Sequence, residues 1–145
     1  MGARIILALD LEGTLISNEF SQIPRPGLHD FLAACSSLAP RLVMFTTVPE
    51  DRFRLVAQNL VQAGDAPEWF THLEVVAWNG PKKDLLMING AKVQDVAMVD
   101  DDPDRFAILN QIESWIQVKY FGYPYNDEDT GLKEILPTIQ NAFSG

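Results

Sequence analysis

Apolar residues gather into five short runs, at Arg4–Leu9, Arg41–Phe45, Glu74–Trp78, Val96–Val99 and Ile116–Tyr120. Four of them are continuous rather than alternating. A strand with one wet face alternates, whereas a strand covered on both faces reads as an unbroken apolar run. The runs therefore predict parallel strands sandwiched between helices. Between them the spacing becomes helical. Leu28, Phe31, Leu32 and Cys35 fall at i, i+3, i+4 and i+7, and so do Phe53, Val56, Ala57 and Leu60, with Val61 continuing the stripe. Asp102 and Pro103 look like an N-cap followed by proline in the first helical turn, with Phe106, Leu109 and Ile112 as the apolar face beyond them. A last helix carries Leu132, Ile135, Leu136 and Ile139.

Strands alternating with helices across short connections specify a doubly wound α/β sheet. No repeat, low-complexity tract or linker interrupts it, so residues 1–145 read as one domain. In such sheets ligands bind beyond the C-terminal ends of the strands. Chemistry is therefore to be sought in the residues that follow each apolar run.

The first run ends in Asp10-Leu11-Glu12-Gly13-Thr14, which places two carboxylates two residues apart at a strand end. Asp and Gly are also ordinary turn residues. The second ends in Phe45-Thr46-Thr47, where the hydroxyls suit either a helix cap or a ligand contact. The fourth ends in Val99-Asp100-Asp101-Asp102-Pro103-Asp104. A cap needs one of these acids; the others are a solvated face or a cation site. Lys82 and Lys83 precede the fourth run in a chain with 11 basic residues. A carboxylate pair, a hydroxyl, a lysine and an acidic pair at one sheet edge match phosphoryl transfer through a covalent aspartyl-phosphate.

The formal net charge of −9 argues against broad polynucleotide binding, because such a surface repels phosphate over long range. It is compatible with a phosphorylated substrate, since a local metal ion reverses the field inside one pocket. The single cysteine, Cys35, excludes an intramolecular disulfide and suits a reducing compartment. Asp10 and Glu12 interrupt the N-terminal apolar run, which excludes a signal peptide, and no stretch approaches transmembrane length. A cytoplasmic location without membrane attachment is expected. Cys35 reads as core, His29 as helix surface, and His72 as a loop residue without ligand-spaced partners.

Over nearly its whole length the chain resembles the haloacid-dehalogenase (HAD) superfamily. Asp10-Leu11-Glu12-Gly13-Thr14-Leu15 is similar to the first signature, Asp-x-Asp-Gly-Thr, with Glu at the second acid. Phe45-Thr46 resembles the second signature, Lys83 the third and Asp100-Asp101 the fourth. Arg25-Pro26-Gly27-Leu28-His29-Asp30-Phe31-Leu32, Phe45-Thr46-Thr47 and Lys83-Asp84-Leu85 resemble the NIF-like branch, which includes the carboxy-terminal-domain phosphatases. Those relatives usually have Asp where this chain has Glu12, and an acidic residue where it has Gly13. Glu at the second position also occurs in the active enolase-phosphatase branch.

The resemblance implies a three-layer Rossmann-like sheet without a large cap domain. For Asp10, Thr46 and Asp100 to meet, the strand order must be 3-2-1-4-5. It further implies Asp10 as nucleophile, Glu12 as general acid and base, Thr46 and Lys83 as phosphoryl-binding groups, and Thr47 as a substrate contact. A Mg²⁺ would be held by Asp10, Asp100 and the Glu12 carbonyl. Asp101 is a further ligand or an orienter of Asp100 and Lys83, with Asp104 in reserve. The implied substrate is a phosphoprotein or a small phosphometabolite. Hydrolysis of a phosphomonoester is the first functional expectation, and a catalytically inert HAD-like binding module is the second. The aromatic segment Tyr120–Tyr125 falls at the catalytic edge, where its roles divide between helix packing and substrate contact.

Overall fold

The computed structural model describes residues 2–145. Five parallel strands form one sheet in the order β3-β2-β1-β4-β5, as expected. They are β1 (Ile6–Leu9), β2 (Arg41–Met44), β3 (Glu74–Val75), β4 (Val96–Asp100) and β5 (Trp115–Gln117). The helices are α1 (Leu28–Leu38), α2 (Glu50–Gln62), α3 (Pro103–Phe106) and α4 (Gly131–Ala142). Among the described residues, no helix is long and apolar enough to cross a membrane.

β1 lies in the middle because both its faces find apolar cover. Leu7 and Leu9 point to one side and join the apolar stripes of α1, α2 and α4, including Phe31, Cys35, Phe53, Leu60, Leu132 and Ile139. Ile6 and Ala8 point to the other and meet Val43, Phe45, Met98, Leu85 and Ile88. Continuous apolar runs are thus explained by period-two alternation between two buried faces. The second face is covered mainly by 3-10 turns at Leu85–Met87 and Val93–Asp95 rather than by long helices.

Four strands are shorter than their apolar runs, while β4 extends one residue past its run to include Asp100. β3 ends early because Trp78 turns its indole N–H to the Thr46 carbonyl at 2.8 Å. The pattern Phe106, Leu109, Ile112 predicts a buried helical face that does not form. α3 stops after Phe106, whose carbonyl accepts the Lys83 amide at 2.8 Å instead of closing another helical turn. Leu109 is consequently 85% exposed, and Ile112 is also exposed.

The register places the strand ends side by side. Leu9 pairs with Met44 on one side and Val99 on the other. Asp10 therefore emerges between Phe45 and Asp100, with its amide on the Val99 carbonyl at 3.0 Å.

Phe53 is fully buried and meets Phe70 edge-on, with ring centroids 5.4 Å apart. Phe53→Ala should lower unfolding free energy by about 3–5 kcal/mol. Chemical denaturation should record a lower midpoint with an unchanged slope.

Candidate active site

Burial organises the site. Lys83 is wholly shielded from solvent, and its ammonium bridges Asp10 Oδ1 at 2.9 Å and Asp100 Oδ2 at 2.7 Å. Phe106 lies beneath it, with the ring centroid 4.7 Å from Nζ, and Phe45 stands at 6.0 Å. A buried ammonium requires partners for its charge and its three donors. Two carboxylates and an aromatic face supply them here. Lys82 instead lies at the surface, where Nζ donates to the Arg105 carbonyl at 2.8 Å.

The other Asp10 oxygen, Oδ2, accepts the Thr14 hydroxyl at 2.7 Å. Thr14 also lies 3.1 Å from Asp101 Oδ1, but one hydroxyl proton serves one acceptor at a time. The Asp10 carboxylate plane is therefore pinned at both ends. Asp100 Oδ1 accepts the Asp102 amide at 2.9 Å. Asp102 caps α3 through a 3.3 Å contact with the Arg105 amide. The acidic run thus divides between capping and the site. Asp10, Asp100 and Asp101 each bring an oxygen into one group whose members lie within 4.8 Å of one another. Asp104 stays exposed and outside that group.

These oxygens fit a hard divalent cation. Three carboxylates facing one ammonium leave an uncompensated negative charge. The Glu12 carbonyl, on the same loop, accepts no hydrogen bond from the described residues. Protonation reflects the crowding. Burial pushes the Asp10 carboxyl up to about 6, against the opposing pull of Lys83. Burial likewise raises Asp100, helped by the Asp10 charge, and burial raises Asp101. Burial alone would lower the Lys83 ammonium, yet the two carboxylates hold it above its ordinary value.

Glu12 is half-buried, and Oε2 accepts the Glu19 amide at 2.8 Å, leaving Oε1 without a protein donor. It lines a cavity of about 220 Å³ with Asp10, Thr47, Asp101, Arg105 and Tyr120. Thr46 is buried at the end of β2. Its hydroxyl oxygen accepts the Val48 amide at 3.1 Å, which leaves its proton for another acceptor. Exposed Thr47 joins that cavity to a second cleft of about 400 Å³, which Thr46, Trp78 and Asn79 also line.

Two supports reach the site from elsewhere in the chain, and the partners of the first escaped inspection of the sequence. Arg25 is 1% exposed, and its guanidinium holds Asp129 through Nε at 2.7 Å and the Thr14 carbonyl through Nη1 at 3.2 Å. It also lies 5.4 Å from the centre of the Phe121 ring. A Cβ at Gly131 would collide with it, so glycine at 131 makes room for this strut. The Asp129 carboxyl feels burial upward, but the Arg25 hydrogen bonds and the Gly131 amide hold it below its ordinary value. The second support is the aromatic segment, whose roles are split. Phe121 is buried and its amide bonds the Gly13 carbonyl at 2.9 Å. Tyr120 is 69% exposed and covers Gly13, where a Cβ would stand 2.8 Å from the ring. With φ +74 there as well, only glycine fits without strain.

The NLI interacting factor-like phosphatase family model matches residues 5–144. The chain belongs to that family. That family is the NIF-like branch of the HAD-like phosphatases, and the chain shares its fold without a large cap. Its fold is similar to that of a variant of the fission yeast RNA polymerase II CTD phosphatase Fcp1 bound to beryllium fluoride. The TM-score is 0.57 at 16% identity, over 97% of this chain and 50% of that one. The chain thus spans about half the length of that phosphatase. No curated protein sequence matches it.

In the NIF-like chain the raised Asp10 carboxyl has a thermodynamic consequence. Its ordinary value is 3.8 and its folded value about 6, so the protonated form favours folding. That contribution is fully present below pH 3.8 and is lost as pH rises through about 6. In chelator-treated protein, the melting temperature of wild type relative to Asp10→Asn should therefore fall between pH 4 and pH 7, and a divalent cation that binds the folded form should reverse the fall. A difference that is flat with pH would contradict this linkage.

Proposed function

We propose that the chain is a Mg²⁺-dependent phosphomonoester hydrolase that works through an aspartyl-phosphate on Asp10, within a single catalytic domain. The observation that carries this reading is the buried Lys83 ammonium joining Asp10 to Asp100, beside Asp101. A nucleophilic carboxylate held by fixed donors needs little reorganisation before it attacks. Lys83 and Thr14 each bind one Asp10 oxygen and so set its plane.

Asp10, Asp100, Asp101 and the Glu12 carbonyl would hold the cation. When bound it would neutralise charge on the phosphoryl oxygens and on the carboxylates that hold it. An Asp10 oxygen attacks phosphorus as the ester bond to the leaving oxygen breaks. Glu12 gives its proton to that oxygen, then takes one from the water that attacks the aspartyl-phosphate. The phosphorus–Asp10 bond breaks, releasing inorganic phosphate and regenerating both carboxyl groups in their starting forms. The Glu19 amide holds Glu12 Oε2, leaving Oε1 for the proton. The Thr46 hydroxyl donates to a phosphoryl oxygen, Lys83 offsets the charge shared by Asp10 and phosphate, and Thr47 contacts the substrate at the joined clefts. The substrate class is a phosphoprotein or a small phosphometabolite, and the protein acts in the cytoplasm.

Turnover of p-nitrophenyl phosphate should require Mg²⁺ and vanish in Asp10→Asn. Glu12→Gln should release a burst of nitrophenolate, a leaving group that needs little protonation, and then turn over about 10²–10⁴-fold more slowly. Phosphoenzyme should accumulate during the slow phase. Wild-type steady-state turnover by Glu12→Gln would remove Glu12 from the acid–base role, and activity surviving Asp10→Asn would remove the covalent route.

A further inference from the structure

The charged residues that line the cavity in front of Asp10 are four acids and one base. Asp10, Glu12, Asp101 and Asp102 all line it, and so does Arg105. Arg25, Arg41, Arg52 and Arg54 each hold a carboxylate, of Asp129, Glu74, Glu19 and Glu50. Among the described residues, the Arg105 guanidinium has neither an ion pair nor a hydrogen bond. It is exposed and lies 5.0 Å from the centre of the Phe106 ring. Phe106 is the residue whose ring also supports Lys83, so Arg105 rests on the same element that positions the buried ammonium.

An arginine with idle donors beside four carboxylates is held at the mouth by stacking rather than by pairing. Its planar fork suits a carboxylate or a phosphate better than any other group. The cavity, at about 220 Å³, is below the usual range for a whole small-molecule ligand. A phosphoryl group on Asp10 would occupy part of it, and the alcohol portion would extend along a lining that includes Arg105. We propose that Arg105 selects phosphomonoesters whose leaving group carries a second anionic group, carboxylate or phosphate, next to the scissile ester. This rests on the reading of Asp10 as the phosphoryl acceptor. The second anion has two chemical sources, a small phosphorylated acid or a phosphoserine flanked by acidic residues.

Binding and turnover test it separately. Asp10→Asn protein in Mg²⁺ would be titrated by calorimetry with two matched pairs. One pair is phosphoglycerate and glycerol phosphate. The other is a phosphoserine pentapeptide with flanking glutamates and its counterpart with flanking alanines. The more anionic member of at least one pair should bind about ten- to a hundredfold more tightly, as one charge-assisted contact provides. Adding Arg105→Gln should abolish that preference and Arg105→Lys should restore part of it. The pair showing the preference identifies the source of the anion. Three results would overturn the proposal: no preference in either pair, a preference that survives Arg105→Gln, or no binding of any probe. Equal weakening of both members by Arg105→Gln would place the guanidinium on the transferred phosphoryl group and would also overturn it. Wild-type turnover of the four probes is then measured independently. An Arg105-dependent binding preference with no turnover of these probes or of p-nitrophenyl phosphate would count against the hydrolase reading and leave Arg105 as a selector of bound phosphomonoesters only, whereas turnover without preference would count against the Arg105 proposal alone.

Discussion

A solvent-free ammonium between two carboxylates is the constraint from which the rest of the structure follows. Lys83 is closed off from bulk solvent, so its neighbours must supply both charge and acceptors. Asp10 comes from the end of β1, Asp100 from the end of β4, and Phe106 from α3. Removing one partner would leave an uncompensated buried charge, which makes convergence of these elements a condition of stability as well as of chemistry. Even the truncation of α3 belongs to this arrangement, because the Phe106 carbonyl is spent on the Lys83 amide.

A second buried cation stabilises the loop that carries the first signature. Arg25 ties the Thr14 carbonyl to Asp129, and Thr14 in turn donates to Asp10. The chain after β5 reaches the same loop through Phe121 and Tyr120. A domain without a large cap thus borrows rigidity for the Asp10 carboxylate from a distant segment. Preorganisation of this kind matters because misplacement of a reacting group by an ångström is costly to rate. The same contacts account for Gly13: a side chain there would meet both Tyr120 and Asp101 Oδ2.

Much of this was legible beforehand. Continuous apolar runs predict buried parallel strands, and helical spacing predicts α1, α2 and α4, because period is a local property of the chain. Asp10, Lys83, Asp100 and Asp101 could be singled out because they fall, in order, on signatures that follow the apolar runs. The boundaries of β3 and the fate of Leu109 and Ile112 were not legible. They depend on Trp78 reaching Thr46 and on Lys83 reaching Phe106, and neither partner is a sequence neighbour of the other.

The sequence by itself determined the strand and helix periods, the family signatures and the set of acids, hydroxyl and lysine available for phosphoryl transfer. These are written in residue type and near spacing, which need no knowledge of what packs where. Only the tertiary structure decided that one Lys83 ammonium bridges Asp10 and Asp100 together, that Asp104 stands apart, and that Arg25 braces Thr14 across more than a hundred residues of chain to Asp129. It alone left Arg105 without a partner at the mouth of the site. Pairing of charges depends on burial and on which strand ends lie side by side, and both are properties of the folded sheet.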